Sequence, residues 1–210
     1  MLTGIRHVIW DWNGTLLDDA WLCRAVMNDS LRRRELPEID EAHYMAAFGF
    51  PVIDYYRRVG FDFSQESWKE AGSEFIAGYA SRRGECSLHP EVRRVLATLH
   101  QAGVEQSVLS AYQHETLLEI VEAHDLTDFF EHILGIEDHY ATGKVEQGLR
   151  LIQSIDVDPK QVVLIGDTDH DHEVASAMGV RCILVPRGNQ PIEKLEGRGV
   201  PVVTSLEELL

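Results

Sequence analysis

Apolar residues along the chain fall into four short runs, and the stretches between them carry apolar positions at the three- and four-residue spacing of a helix. Each run ends in small or polar residues, which is typical of a strand buried on both faces of a parallel sheet. The predicted strands are 7–10, 106–109, 162–165 and 182–185. The predicted helices that alternate with them are 91–101, 115–124, 145–154 and 170–178.

This alternation of strand and helix predicts an α/β fold built on a doubly wound, Rossmann-like parallel sheet. Gly103 and Gly179 follow two of the predicted helices, where glycine commonly ends a helix. A further strand at 200–203 and a polar turn or helix at 205–210 complete the prediction.

The segment 18–83 interrupts the alternation, because it carries helical patterns and no convincing strand. We therefore predict an all-helical cap domain at 18–83, inserted into an α/β core domain made of 1–17 and 84–210. The helical patterns inside the cap are 20–33, 41–48 and 66–82.

The chain has 210 residues, 44% of them hydrophobic, which is enough for a domain with a modest insertion. Its formal net charge of -16 argues against nucleic acids and anionic membranes as main partners, because both would repel it. We find no signal segment and no window near the roughly 20 apolar residues that span a bilayer. We expect a cytoplasmic monomer or homodimer with reduced thiols at Cys23, Cys86 and Cys182, whose number and spacing fit neither a zinc site nor a disulfide framework.

Polar residues follow three of the predicted strands, at the edge where an open parallel sheet binds its ligands. Asp11 ends the first strand, Ser110 follows the second, and Asp167 follows the third, with Asp171 one helical turn later. The three aspartates would converge, and two unit charges about 4 Å apart repel by roughly 4 kcal/mol at an effective dielectric of about 20. Such an oxygen-rich cluster favours Mg²⁺ over zinc or copper. The alternative is that Asp167 is a helix N-cap and Asp171 a surface residue.

Groups beside these aspartates suit a phosphoryl ligand. Gly14 and Thr15 let the backbone turn sharply after Asp11, so that N–H groups and a hydroxyl face whatever Asp11 attacks. The Ser110 hydroxyl and the Ala111 N–H would hold a phosphoryl oxygen at a helix N-terminus. For Ser110 a simple helix cap is the alternative.

Lys144 lies at the start of a predicted helix, where a cation is poorly placed relative to the helix dipole. A functional explanation is that it neutralises both Asp11 and a bound phosphate. The alternative is a solvated surface lysine.

In this order the parts resemble the haloacid dehalogenase superfamily of aspartate-nucleophile phosphohydrolases. The helical insertion falls where its phosphoglycolate phosphatase-like branch places a cap. The matches to the four motifs of the superfamily are 11–16 (D-x-D-G-T-L, except at Asn13), 109–110, Lys144 and 166–171 (G-D-x-x-x-D).

The resemblance implies a reaction and a cofactor. Asp11 would attack the phosphorus of a small phosphorylated metabolite and form an aspartyl-phosphate that water then hydrolyses. Mg²⁺ would be held by Asp11, the backbone carbonyl of Asn13 and Asp167, with Asp171 as a further ligand or as the partner of one.

The same resemblance assigns the groups that stabilise the transferring phosphoryl group. These are Ser110 and Lys144, with help from Thr15 in the first loop. The predicted function is therefore that of a Mg²⁺-dependent phosphatase.

Asn13 departs from the pattern, because active phosphatases of this kind normally carry a second aspartate there to move a proton. A positioned acid or base contributes about 10² to 10⁴ in rate, and an amide cannot replace it. We expect a slow enzyme in which acyl and aryl phosphates, whose leaving groups depart without a proton, are penalised less. Asn13-Gly14 is also prone to deamidation, which would create the missing aspartate.

Asn13 leaves two other classes of function open. One is an impaired protein that binds a phosphorylated metabolite or a partner without turnover. The other is a hydrolase that cleaves another bond, since dehalogenases and phosphonate hydrolases of the superfamily also lack this aspartate. Phosphonate hydrolases form an imine with a cap lysine, and Lys69 is the only lysine in this cap.

The predicted cap carries aromatic residues at 48–50 and at Tyr55 and Tyr56, followed by Arg57 and Arg58. They form either a specificity surface or the cap's own core. The two arginines are candidates to contact an acidic substrate or to be solvated.

Overall fold

The structure is a computed structural model, and it describes residues 1–137 and 143–210. Its centre is a five-stranded, all-parallel sheet in the order β5-β4-β1-β6-β7, accompanied by the short antiparallel pair β2-β3. The strands are β1 (His7–Trp10), β2 (Leu17–Asp18), β3 (Ser87–Leu88), β4 (Glu105–Gln113), β5 (His132–Ile136), β6 (Val162–Gly166) and β7 (Arg181–Leu184).

Helices cover both faces of the sheet and fill the insertion between β2 and β3. The α-helices are α1 (Ala20–Arg33), α2 (Glu41–Ala47), α3 (Val52–Arg58), α4 (Trp68–Arg82), α5 (Val92–Gln101), α6 (His114–Ala123), α7 (Lys144–Ser154), α8 (Asp169–Met178) and α9 (Ile192–Glu196). This arrangement confirms the predicted doubly wound α/β fold. In the described part of the chain, no helix has the length and apolar character needed to cross a bilayer.

β1 occupies the centre of the sheet, and all four of its residues are buried: three are apolar, and the fourth, His7, is hydrogen-bonded to Ser107. Trp10 pairs with Val108 of β4 on one side and with Ile165 of β6 on the other. The N–H of Asp11 still donates to the Ile165 carbonyl at 2.9 Å. The sheet therefore holds the backbone of Asp11 rigidly at its carboxyl edge.

β4 is longer than predicted, and this corrects the expected setting of Ser110 and Ala111. The strand continues to Gln113 with an irregular register after Leu109, and α6 begins only at His114. Ser110 and Ala111 therefore lie within a strand and not at a helix N-terminus. The reason is β5, which the sequence analysis did not predict and which supplies the partner for the extra residues.

Other elements also escaped prediction. The pair β2-β3 and the helices α3 and α9 are too short to show a clear period in sequence. The expected strand at 200–203 is reduced to a single bridge between Leu184 and Val202. The expected C-terminal element is a 3₁₀ helix, Leu206–Leu209, capped by Ser205.

The helices α1 to α4 share an apolar cluster of their own. Met27 and Leu31 of α1 meet Tyr44 of α2, Tyr55 of α3 and Ala71 of α4 there, and all five side chains are buried. The division into a core domain (1–17 and 84–210) and a cap domain (18–83) remains a prediction.

Candidate active site

Three carboxylates meet at the carboxyl edge of the sheet. Asp11 follows β1, Asp167 follows β6, and Asp171 lies in the first turn of α8. One oxygen from each lies within 4.8 Å of the others, and all three residues are buried. This burial excludes the alternative in which Asp171 is a surface residue.

Lys144, the first residue of α7, reaches into this cluster from the side. Its ammonium lies 2.5 Å from Asp11 Oδ1 and 2.6 Å from Asp171 Oδ1, and only 2% of its side chain is exposed. Burial alone lowers the pKa of Lys144, but the two carboxylates outweigh burial and raise it. Lys144 is therefore a buried cation, which excludes the solvated alternative.

One ammonium is not enough for three carboxylates. Burial raises the pKa of Asp11 to about 7, with Lys144 opposing the shift and Asp171 adding to it. Burial, together with the charges of Asp11 and Asp171, also raises the pKa of Asp167 well above its usual range. The cluster carries excess negative charge that a divalent cation would relieve.

The donor atoms around this cluster fit Mg²⁺, because they are hard oxygens. Among the described residues, no hydrogen bond reaches Asp167 Oδ1 or the backbone carbonyl of Asn13, so both oxygens remain available. A Cβ added at Gly14 or Gly188 would collide with the Asp167 carboxylate. Two glycines are thus needed where the backbone passes this carboxylate.

The turn after β1 orients Asp11. Gly14 adopts a φ of 77°, which glycine tolerates and other residues rarely adopt. The hydroxyl of the buried Thr15 then donates to Asp11 Oδ2 at 3.1 Å. His89, at the end of the β2-β3 pair, holds the turn through a 3.0 Å contact between its Nε2 and the Gly14 carbonyl.

Asn13 is bound to a carboxylate that sequence reasoning missed. Its Nδ2 lies 2.7 Å from Oδ2 of the fully buried Asp19 and 3.2 Å from the Tyr79 hydroxyl. Asp19 also accepts from the Tyr79 hydroxyl at 2.6 Å and from the Gly14 N–H at 2.8 Å. Burial raises the pKa of Asp19, although these hydrogen bonds oppose the shift.

This contact fixes the orientation of the Asn13 amide. Because Asp19 also accepts from the Gly14 N–H and the Tyr79 hydroxyl, it acts as an acceptor, and the hydrogen-bond network assigns the nitrogen of Asn13 to its side. The oxygen of Asn13 consequently faces the opposite side, where the Ser110 hydroxyl lies 3.5 Å away. Asn13 thus presents an acceptor towards the substrate side of the site and no proton donor.

Asp167 is held by a second pair of residues that the sequence analysis did not single out. The backbone N–H and the side-chain Nδ2 of Asn189 donate to Asp167 Oδ2 at 2.6 and 3.3 Å. The Tyr44 hydroxyl of α2 donates in turn to Asn189 Oδ1 at 2.5 Å. No sequence signal marks Asn189, because it lies outside the predicted elements and motifs.

A cavity of about 270 Å³ opens between the carboxylate cluster and the helices α2 to α4. Its core wall, as we name it, consists of Asp11, Asn13, Ser110, Ala111, Lys144, Asp167 and Asp171. Its cap wall consists of Phe48, Phe50, Tyr55, Trp68, Phe75, Ile76 and Tyr79.

The candidate arginines and the candidate lysine of the insertion do not line this cavity. Arg57 forms an exposed pair with Asp54, and Arg58 donates to the Ala47 carbonyl. Lys69 is exposed near the start of α4. Among the aromatic residues of this segment, Tyr55 belongs to the apolar cluster shared by α1 to α4 and also lines the cavity, and a specificity role stays a prediction.

The family model of haloacid dehalogenase-like hydrolases matches residues 8–185. The chain belongs to this family. The resemblance predicted from the four motifs is thereby confirmed, and the chain is an enzyme of the hydrolase class.

The chain is also similar to individual proteins, at low sequence identity. Tyrosine-protein kinase PtkA of Mycobacterium tuberculosis is 28% identical over 201 residues, which are 94% of this chain and 67% of that protein. A phosphoglycolate phosphatase of Aliivibrio fischeri is 24% identical over 200 residues, or 90% of this chain and 87% of that protein. A haloacid dehalogenase-like family protein of Streptococcus pneumoniae has a similar fold, with a TM-score of 0.85 at 19% identity over 99% of this chain and 97% of that one.

Proposed function

We propose that this haloacid dehalogenase-like hydrolase is a Mg²⁺-dependent phosphatase that hydrolyses a small phosphomonoester through a phosphorylated Asp11. The observation that carries the proposal is the buried cluster of Asp11, Asp167 and Asp171 with Lys144 at one edge of the sheet. The similarity to a phosphoglycolate phosphatase supports the same reaction class.

In this mechanism Asp11 attacks phosphorus along a direction set by two hydrogen bonds. Lys144 binds one carboxylate oxygen and Thr15 the other, so the carboxylate cannot rotate away from the substrate. Such positioning means that the carboxylate and the phosphoryl group react within one complex and do not have to meet as two free anions. Water then cleaves the aspartyl-phosphate and restores the carboxylate.

The charge that builds up on the transferring group needs donors and cations. Lys144 supplies a fixed positive charge, and the Ser110 hydroxyl lies on the core wall beside Asn13. Mg²⁺, held by Asp11, the Asn13 carbonyl and Asp167, would supply Lewis-acid stabilisation of the phosphoryl oxygens. Asp171 acts through Lys144 and Thr168, because these two residues bind its two oxygens.

Asn13 limits the rate at which this enzyme hydrolyses phosphomonoesters with poor leaving groups. Its side chain accepts hydrogen bonds and has no proton to give to a departing alkoxide, so alkyl phosphomonoesters are slow substrates. The rate penalty is about 10² to 10⁴ for leaving groups that require a proton.

The test is steady-state phosphate release with Mg²⁺, using acetyl phosphate and a panel of phosphomonoesters. We expect release beyond one equivalent per chain, and loss of that release in Asp11→Asn. Asp18→Asn, which changes an exposed neighbour, is the matched control. Acid-quenched peptide mass spectrometry should locate a phosphoryl group on Asp11, and sustained turnover by Asp11→Asn would contradict the proposal.

The other classes make different predictions in the same assay. A binder without activity releases no phosphate beyond one equivalent. A dehalogenase needs no metal, so its activity on a 2-haloacid would survive a chelator. A phosphonate hydrolase requires a cap lysine in the site, and Lys69 does not line the cavity.

A further inference from the structure

The cap wall of the cavity is aromatic and carries little charge. Phe48 and Phe50 approach it from the loop after α2, and Trp68 and Phe75 approach it from α4. Phe48 packs edge-on against Phe50 and Tyr55, at centroid distances of 5.8 and 5.3 Å. Such a wall favours an aromatic or other apolar group over a small, fully hydrated one.

Positive charge is scarce at this end of the cavity. Among the described lining residues beyond the core wall, Arg83 is the one arginine or lysine side chain, and it is paired with Glu119 at 2.9 Å. Beside this wall His170 stacks on Phe50 at a centroid distance of 4.4 Å, and its Nε2 has no partner among the described residues. The wall therefore offers a substrate aromatic surface and no free arginine or lysine among the described residues.

Tyr55 is one of the aromatic residues that line the cavity, and its ring packs on Phe48. Its hydroxyl is buried and has no hydrogen-bond partner in the described part of the chain. An aromatic substrate would therefore meet this side chain through its ring.

The core wall selects for the same class of substrate by its chemistry. Asn13 turns its oxygen to the substrate side because Asp19 holds its nitrogen. A leaving group must therefore depart without a proton from this position. A phenol, with a pKa of about 10, leaves as the anion far more readily than an aliphatic alcohol does.

From these two walls we infer that the substrate is an aryl phosphomonoester whose ring lies against the cap wall. This inference rests on the proposed phosphatase function. An Asp11 oxygen forms a bond to phosphorus while the bond from phosphorus to the aryl oxygen breaks, and the phenolate leaves with the electron pair and takes its proton from water. Water then attacks phosphorus, and Asp11 leaves as the carboxylate.

The experiment compares four phosphorylated compounds in the presence of Mg²⁺. Acetyl phosphate is small and needs no proton, phenyl phosphate has a ring and a good leaving group, benzyl phosphate has the ring but a poor leaving group, and phosphoglycolate is small and acidic. We expect kcat/KM for phenyl phosphate to exceed the values for benzyl phosphate and phosphoglycolate by at least ~10-fold each. Equal or higher values for phosphoglycolate would overturn the inference.

A cap variant separates the fit of the ring from the chemistry. Ile76 lines the cavity but lies outside the buried apolar clusters, whereas its neighbour Ala77 is exposed and does not line the cavity. We expect Ile76→Ser to lower the ratio of kcat/KM for phenyl phosphate to that for acetyl phosphate by ~10-fold. Ala77→Ser is the matched control, and an unchanged ratio in Ile76→Ser would contradict a ring on this wall.

Different results would overturn the aryl substrate and the phosphatase function. Hydrolysis of acetyl phosphate through Asp11 without any preference for phenyl phosphate overturns the aryl substrate and leaves the phosphatase intact. A lack of phosphate release from all four compounds overturns both.

Discussion

The two walls of the cavity are built on opposite principles. On the core wall every described carboxylate has a donor, as Lys144 serves Asp11 and Asp171 and Asn189 serves Asp167. On the cap wall aromatic side chains pack on one another, as Phe48 does on Tyr55. The core wall is therefore a network of charges that still requires a cation, and the cap wall is an apolar packing surface.

This difference between the walls assigns the chemical reaction to the core wall and the choice of substrate to the cap wall. A buried charge that loses its partner is expensive, so the core wall tolerates few changes. An apolar wall loses only part of a contact area when one residue is replaced, so its changes alter which substrate binds. We expect loss of the Lys144 cation from the core wall to lower activity and stability together, and variants of the cap wall to change specificity.

The largest effect should follow from Lys144→Met, because it leaves two buried carboxylates without their cation. We expect the free energy of unfolding in the presence of a chelator to fall by about 3 to 5 kcal/mol. Phosphate release should fall by at least ~10²-fold. Chemical denaturation and steady-state kinetics measure both, with exposed Lys160→Met as the control, and equal stability of the two variants would contradict the buried ion pairs.

Removal of the metal should have the second-largest effect on activity and stability. A chelator should lower phosphate release, and adding Mg²⁺ at about 100 times its Kd should stabilise the native protein by about 2.7 kcal/mol, because the ion binds only the folded state. Thermal unfolding with and without Mg²⁺ checks this without an activity assay. Asp167→Asn should no longer be stabilised by Mg²⁺, whereas the exposed control Asp156→Asn should still be. Stabilisation of Asp167→Asn by Mg²⁺ would contradict the proposed metal site.

Asn13→Asp should restore a proton donor and raise turnover of alkyl phosphomonoesters at least ~10-fold, with a smaller effect on acetyl phosphate. The new carboxyl would face Asp19 and must hold a proton to bond with it, which keeps it in the acid form. In the double variant Asn13→Asp/Asp19→Asn the amide at position 19 donates to the new carboxyl and favours its ionised form, so the gain should be smaller than in Asn13→Asp.

Two measurements serve as controls for the prediction on Asn13→Asp. Peptide analysis of the unaltered protein should show no aspartate at position 13, so that deamidation does not supply the baseline activity. Equal rates of Asn13→Asp and the unaltered protein on benzyl phosphate would refute our account of Asn13.

The smallest effect should come from Asp19→Asn alone, since it keeps the volume and removes one acceptor. We expect a loss of about 1 to 3 kcal/mol in the free energy of unfolding, together with a several-fold fall in kcat for phenyl phosphate. Asp18→Asn alters the exposed neighbouring carboxyl and should change neither quantity. Similar behaviour of the two variants would show that Asp19 does not orient Asn13.

Much of the core wall was predictable because its residues follow strands. An apolar run that ends in aspartate, as at Asp11 and Asp167, marks both the strand and the side chain at its carboxyl end. Lys144 was a candidate because it is a cation at the start of a helix, where the helix dipole disfavours positive charge. The setting of Ser110 was wrong because the extension of β4 depends on β5, a strand without a strong pattern of its own.

The sequence by itself determined the fold class, the family and the convergence of Asp11, Asp167, Asp171 and Lys144. The spacing of apolar residues predicts the strands and helices, and the parallel arrangement of the strands then brings the residues at their carboxyl ends together. Only the tertiary structure decided the partners of Asn13 and the character of the cap wall. Asp19 reaches Asn13 across a turn, Tyr79 meets it from α4, and the cap aromatics line the cavity from separate elements. Side-chain direction and long-range packing decide such contacts, and neither is encoded in the spacing of residues along the chain.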